Sequence, residues 1–213
     1  MANWIDISQP LTNDIAQFPG DTPFSYSPTF TKEETGSANI GQMTASLHIG
    51  THIDAPFHYD SDGKTVEQLN IDHYIGKAMV IDVSHTNWIT ADVLQEFEWE
   101  NVTRVLLHTS LPNNPAYFPD KLPYLDPDIA GFLQEKGVIL IGVDIPSVDA
   151  PDSKDLETHH ALYRNGIHIL ENVMLDHVNT GHYELIALPL AIHGADGSPV
   201  RAVLRPINEE IPS

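Results

Sequence analysis

Apolar residues along the chain fall into short runs with two spacings. "NWIDIS" at 3–8 alternates apolar and polar positions, as a half-buried strand does. "KAMVIDVS", with Ala78 to Val83 at its centre, "RVLLHTS" and "VILIGVDIPSVD" are compact apolar runs that predict buried strands. "IHILENVML", "YELIALPLAI" and "RAVLRPI" are β-like as well. Helical spacing is rarer. Thr90 can cap a short helix through Ala91 to Phe97. Pro127 precedes Ile129, Phe132 and Leu133 on one helical face, with Gly137 after the end. Asp155 can cap a helix from Leu156 to about Asn165, stopped by Gly166. The pattern predicts a mixed α/β architecture, a sheet core with helices packed against it, and one domain over 1–213.

One stretch mixes packing with chemistry. In "SLHIGTHIDAPFHYD" the even positions carry His48, His52, Asp54 and His58, and the odd ones Leu47, Ile49, Ile53 and Phe57. On an extended chain the first set shares one face and the second faces the core. A straight strand would hold His48 and His52 about 13 Å apart, too far to share an ion. The segment is therefore expected to bend, and Gly50 permits the bend. A helix is disfavoured by Gly50, Thr51, Ile53 and Pro56. A single histidine would read as a hydrogen-bonded surface group. Three histidines and an aspartate in so short a span read as a metal site, of a kind that suits Zn²⁺, Mn²⁺ or Fe²⁺ better than Ca²⁺ or Mg²⁺.

A second, weaker cluster lies in "ETHHALYRNGIHILENV". Glu171 follows Ile167, Ile169 and Leu170, so it is expected to be partly buried and in need of a cation or several hydrogen bonds. One of the adjacent His159 and His160 should point inward. Together the clusters suggest two metals bridged by carboxylates.

Composition narrows the alternatives. The 213 residues carry a formal net charge of −20, which repels nucleic-acid phosphates and anionic lipid. With no cysteine there is no disulfide and no thiol catalysis. No GxSxG, P-loop or GxGxxG motif occurs. No signal-like or membrane-spanning run is visible, so a cytoplasmic protein is expected.

"HIGTHIDAPFH" resembles the HxGTHxDxPxH signature of the cyclase-like metal-dependent amidohydrolases, and the resemblance extends through "WIDISQPL", "FPGDTPF", "GVDIPSVDAPDS", "HHALYRNGIHILENV" and "ALPLAIHGADGSPVRAVLRPI". The Ser-Val-Asp and His-His stretches are similar to its arylformamidase branch. The resemblance implies a swivelling β/β/α fold, a homodimer and hydrolysis of N-formyl-L-kynurenine to L-kynurenine and formate. It implies two divalent ions per subunit, zinc foremost. His48, His52 and Asp54 match the positions holding the first ion. Asp54, His159 and Glu171 match those holding the second, with His159 preferred to His160. It implies His58 as proton donor and acceptor, outside the ligand set, and Phe18 as a substrate-contacting aromatic in a position where relatives often carry Trp. A sister hydrolase of cyclic amides such as isatin, or a metal-binding protein without catalysis, are the competing readings.

Overall fold

A computed structural model describes residues 3–207. Its strands are β1 (Ile5–Asp6), β2 (Ser25–Phe30), β3 (Ile40–Thr44), β4 (His52–Asp54), β5 (Ile75–Asp82), β6 (Trp88–Ile89), β7 (Arg104–His108), β8 (Tyr124–Leu125), β9 (Leu140–Val143), β10 (His168–Glu171), β11 (Gly181–Ile186), β12 (Gly197–Pro199) and β13 (Val203–Pro206). The helices are α1 (Lys32–Thr35), α2 (Ala91–Leu94), α3 (Ile129–Glu135) and α4 (Glu157–Arg164). Nine strands form one mixed sheet in the order β1-β13-β11-β5-β7-β9-β10-β4-β12. Its centre, β5-β7-β9-β10, is parallel and both flanks are antiparallel. The mixed α/β class predicted from the sequence is the observed one.

Two cores lie on opposite faces of this sheet, and strand alternation assigns residues to them. Met79, Ile81, Val105, Leu107, Ile141 and Val143 pack with Ile129 and Leu133 of α3 and Leu162 of α4. Ala78, Val80, Leu106, Leu140 and Leu170 pack on the other side with Ile53, Tyr183 and Leu185. Each such aliphatic side chain contributes roughly 1.5–3 kcal/mol by leaving water. Both faces of the parallel centre are therefore covered, which explains its nearly continuous apolar runs.

The pairing of β4 with β10 builds the platform for the site. Glu171 lies opposite His52, and Ile169 opposite Asp54. Ile53 and Leu170 turn toward one core, so His52, Asp54 and Glu171 emerge on the other face, the one α4 covers. α4 thus presents His159 to the carboxylates.

Several local expectations are corrected. Only His52 and Asp54 lie on a strand; His48 sits in the preceding turn and His58 in a 3-10 turn over Pro56–His58. Pro56 ends the alternation, so Phe57 is 40% exposed instead of facing the core. Asp155 does not cap α4. Leu156 occupies the N-cap in the left-handed region at φ 44°, with no side-chain cap of its own. The carboxylate of Asp149 accepts from Thr158 N and His159 N instead. α2 is capped by Thr90 as expected but stops at Leu94, short of Phe97.

The β2–β3 hairpin had no clear signal, because its residues are exposed on both faces and show no burial alternation.

Candidate metal centre

The bend predicted at Gly50 is present. Gly50 has φ 60°, and a Cβ there would lie 2.8 Å from Leu11 Cδ2. The turn also aims the Gly50 carbonyl at His52 Nδ1, 2.8 Å away. Donating from Nδ1 leaves the lone pair of His52 on Nε2. His159 is set in the same manner, with Nδ1 2.6 Å from Asp149 Oδ2. A carboxylate or carbonyl behind the ring is the usual device for orienting a metal-ligating histidine.

The two free Nε2 atoms converge on two carboxylates. His52 Nε2 is 3.4 Å from both Asp54 Oδ1 and Glu171 Oε2. His159 Nε2 is 3.4 Å from Asp54 Oδ2 and 3.8 Å from Glu171 Oε1. Each carboxylate thus offers one oxygen to each histidine. Two ligands held about 2.0–2.1 Å from a tetrahedral ion stand roughly 3.3 Å apart, so these separations fit ligation. Asp54 Oδ2 is buried without any hydrogen-bond partner. An orphaned buried carboxylate oxygen is costly unless a cation satisfies it. The donor set, imidazole nitrogen with carboxylate oxygen, fits a borderline divalent ion.

His48 and His58 complete the cluster differently. His48 Nδ1 is 2.8 Å from Asp54 Oδ1 and its Nε2 is 3.1 Å from Asp196 Oδ2. Gly197 makes room for that ring, since a Cβ there would sit 2.9 Å from His48 Cε1. His58 stacks at 4.0 Å between ring centroids on His48, with its Nδ1 3.5 Å from Asp196 Oδ2. Ligand atoms of His48, Asp54 and His58 lie within 4.8 Å of one another. The structure therefore brings His58 closer to the ligand set than the sequence implied. His160, next to His159, turns to Tyr59 instead, 5.7 Å between centroids.

Electrostatics follow the geometry. Burial works against the charged form of His48, but hydrogen bonds to Asp196 and Asp54 prevail and hold its pKa at about 9. Burial likewise opposes protonation of His52 and His159, yet their carboxylates raise each to about 10. Burial would raise Asp54, while the imidazoles of His159, His48 and His52 around it hold it well below the usual carboxylate range. Asp196 is lowered chiefly by His48, then by His58. The nest thus stores cationic charge beside its carboxylates. A metal entering it replaces those protons.

A cavity of about 560 Å³ adjoins the nest and is lined by His48, His52, His58, His159 and Glu171. Phe18 lines it too, packed edge-on at 5.3 Å against Phe118. Asp149 and Asp196 carry no role in the sequence reading. Each is one acid in a turn-rich stretch, and only the fold brings Asp149 to His159 and Asp196 to His48.

Comparison with known proteins agrees with this construction. Residues 5–150 match the family described as putative cyclase. Kynurenine formamidases from Bacillus thuringiensis (strain Al Hakam) and Bacillus anthracis are each 60% identical over 206 residues, covering 97% of this chain and 99% of theirs. Among solved structures, a potential metal-dependent hydrolase with cyclase activity superposes with TM-score 0.82 at 24% identity, covering 97% of this chain and 99% of its own. Isatin hydrolase A from Labrenzia aggregata gives TM-score 0.82 at 24% identity, covering 96% and 94%. The chain belongs to the cyclase family and, within it, to the kynurenine formamidase group.

Proposed function

We propose that this protein is a metal-dependent amidohydrolase that cleaves N-formyl-L-kynurenine to L-kynurenine and formate. The observation that carries the reading is the convergence of His52, His159, Asp54 and Glu171 around an unpartnered buried oxygen, beside a cavity walled by Phe18 and Phe118. The extent of identity to kynurenine formamidases names the substrate.

Two divalent ions, zinc foremost, suit the donors: His48 and His52 with Asp54 for one, and His159 with Asp54 and Glu171 for the other. The split of each carboxylate between two histidines supports a bridging role for Asp54 and Glu171. Bound there, such ions lower the pKa of water to about 7 and polarise a carbonyl oxygen. Water adds to the formyl carbon, the C–N bond breaks, and the aniline nitrogen must gain a proton as formate leaves. His58 moves that proton. Asp196 beside Nδ1 keeps a proton there and leaves Nε2 to exchange with the reactants. Phe18, braced by Phe118, stacks on the aminophenyl ring and excludes water from it. Among the described residues, Asp21 is the one carboxylate lining the cavity apart from the acids of the histidine nest, and it suits the ammonium group of the amino-acid tail.

A single hydrolase domain over 1–213 accords with a sheet that runs from Ile5 to Pro206. A homodimer is part of the reading. Tyr26, Phe30, Ile40 and Met43 are exposed on the β2–β3 hairpin, an apolar surface that a second copy would cover. Among the described residues no helix is long and apolar enough to cross a membrane.

The test offers N-formyl-L-kynurenine and isatin separately to metal-replete and chelator-stripped protein. Hydrolysis of the formamide by the metal-replete protein alone is expected. Equal rates with and without metal would refute the metal-dependent reading, and preference for isatin would refute the formamidase reading.

A further inference from the structure

We propose that His108, Asp144 and Asp176 form a second, separate site for a divalent transition-metal ion. The three offer ligand atoms that all lie within 4.8 Å of one another. His108 Nε2 is 3.4 Å from Asp176 Oδ1, the separation of two ligands on one ion. None of the three lines the cavity beside the histidine nest.

The topology explains why they meet. His108 ends β7 and Asp144 follows β9, and these are adjacent parallel strands. Open sheets of this kind bind ligands beyond the carboxyl ends of their strands. Asp82, at the end of β5, is the cross-strand neighbour of His108 and adds negative charge on the same edge. Asp176 arrives from the loop after β10.

Each carboxylate is held from behind. Asp144 is 5% exposed, and Thr109 N is shared between its two oxygens at 3.2 and 3.0 Å. Thr109, through its N–H and its hydroxyl, serves this buried carboxylate and leaves acceptor capacity that a cation would satisfy. Asp176 Oδ2 accepts from Asn113 N at 2.9 Å, while Asp176 N donates to Asn113 Oδ1 at 3.0 Å. That reciprocal pair leaves Oδ1 toward His108. One imidazole with two carboxylates selects Zn²⁺ or Mn²⁺ over Ca²⁺ and Mg²⁺. The same Asn113 precedes Asn114 and Pro115, which do line the cavity beside the nest.

The experiment titrates Zn²⁺ into chelator-stripped full-length protein and counts bound metal after equilibrium dialysis. Wild type, Glu171→Gln, His108→Gln and Asp176→Asn are compared. His108→Gln and Asp176→Asn should each bind one equivalent fewer than wild type. Both should keep the wild-type rate of formamide hydrolysis at saturating Zn²⁺. Glu171→Gln should lower the metal of the catalytic centre and retain the equivalent that His108 and Asp176 hold, so failure of one site is distinguishable from failure of the other. Asp176 is a surface residue, so Asp176→Asn tests the proposal without disturbing the core. Retention of the full metal count by either His108→Gln or Asp176→Asn overturns it, leaving a hydrogen-bonded triad without a cation.

Discussion

Two regions of this protein bury imidazoles, and they treat them in opposite ways. In the nest, His48, His52 and His159 are held at pKa values of about 9 to 10. On β10, His168 is pushed down to about 4, first by burial and then by His73 and Lys64. Burial penalises the cation in both places. The nest supplies Asp54, Asp149, Glu171 and Asp196, whereas His168 meets the Tyr74 hydroxyl, 2.8 Å from its Nδ1. A phenol can donate to a neutral imidazole, and it carries no charge to offset a cationic one. Burial alone therefore does not make a metal site. Carboxylates buried with the histidines do, because they demand positive charge that either protons or a metal can supply.

The most severe way to break this contrast is to remove the shared carboxylate. Asp54→Ala takes away the residue that faces both His52 and His159. Both proposed ions should be lost, and kcat should fall by more than the roughly 10²–10⁴ that one acid/base group accounts for. Metal analysis and turnover on the same sample check it. Full metal occupancy in Asp54→Ala would show that the nest does not depend on that carboxylate.

His58→Ala probes the edge of the nest. If His58 moves a proton and is not a ligand, metal content should hold while kcat falls by roughly 10²–10⁴. The structure sharpens this test, because His58 lies within ligand reach of His48 and Asp54. Stoichiometric loss of an ion in this variant would transfer His58 to the ligand set.

The legibility of the site followed distance in sequence. His48, His52, Asp54 and His58 announced themselves because metal-binding residues crowd one short stretch that also has packing residues. Glu171 was legible as a lone acid closing an apolar run. Asp196 was not, since an acid among Gly194, Ala195 and Gly197 looks like any turn, and His48 lies far away in sequence. Asp149 stood in the Ser-Val-Asp stretch that marked the branch but carried no assigned role, and the α4 cap was misassigned to Asp155. A cap supplied from another loop leaves no local signal. The covered strands β5, β7 and β9 were legible because their apolar runs are compact. The exposed β2–β3 hairpin, without alternation, was not.

Protonation offers a test of the contrast in the metal-free protein. The nest histidines have folded pKa values above the unfolded 6.5. Their contribution to stability is full below pH 6.5 and is lost as pH rises through about 9 to 10. His168 has a folded value below 6.5, so it binds a proton more readily when unfolded. Stability should fall as pH drops from 6.5 toward 4, by up to about 1.4 kcal/mol per unit within that window. Denaturant melts of chelator-stripped protein across pH, with His168→Gln as the comparison, check both limbs. A wild-type acid limb no steeper than that of His168→Gln would remove His168 from the argument. Metal should abolish the alkaline limb, because it takes the place of the protons.

Phe18 gives the smallest effect and tests the other half of the division, that chemistry resides in the nest and selection in the aromatic wall. Phe18 has no ligand atom, so Phe18→Ala should leave metal content unchanged. It removes a stacking partner worth about 0.5–1.5 kcal/mol beyond area burial, which is roughly a 2- to 13-fold loss in kcat/KM. Phe18 also braces Phe118 edge-on, so the loss should fall toward the upper end if Phe118 relaxes with it. Phe18→Trp keeps an aromatic face and should retain most of the activity. The discriminating measurement is kcat/KM for N-formyl-L-kynurenine against an aliphatic formamide in all three proteins. A stacking role costs the aryl substrate alone, since the aliphatic one has no ring to lose. If both substrates decline equally in Phe18→Ala, Phe18 holds the cavity in shape and selection lies with other lining residues.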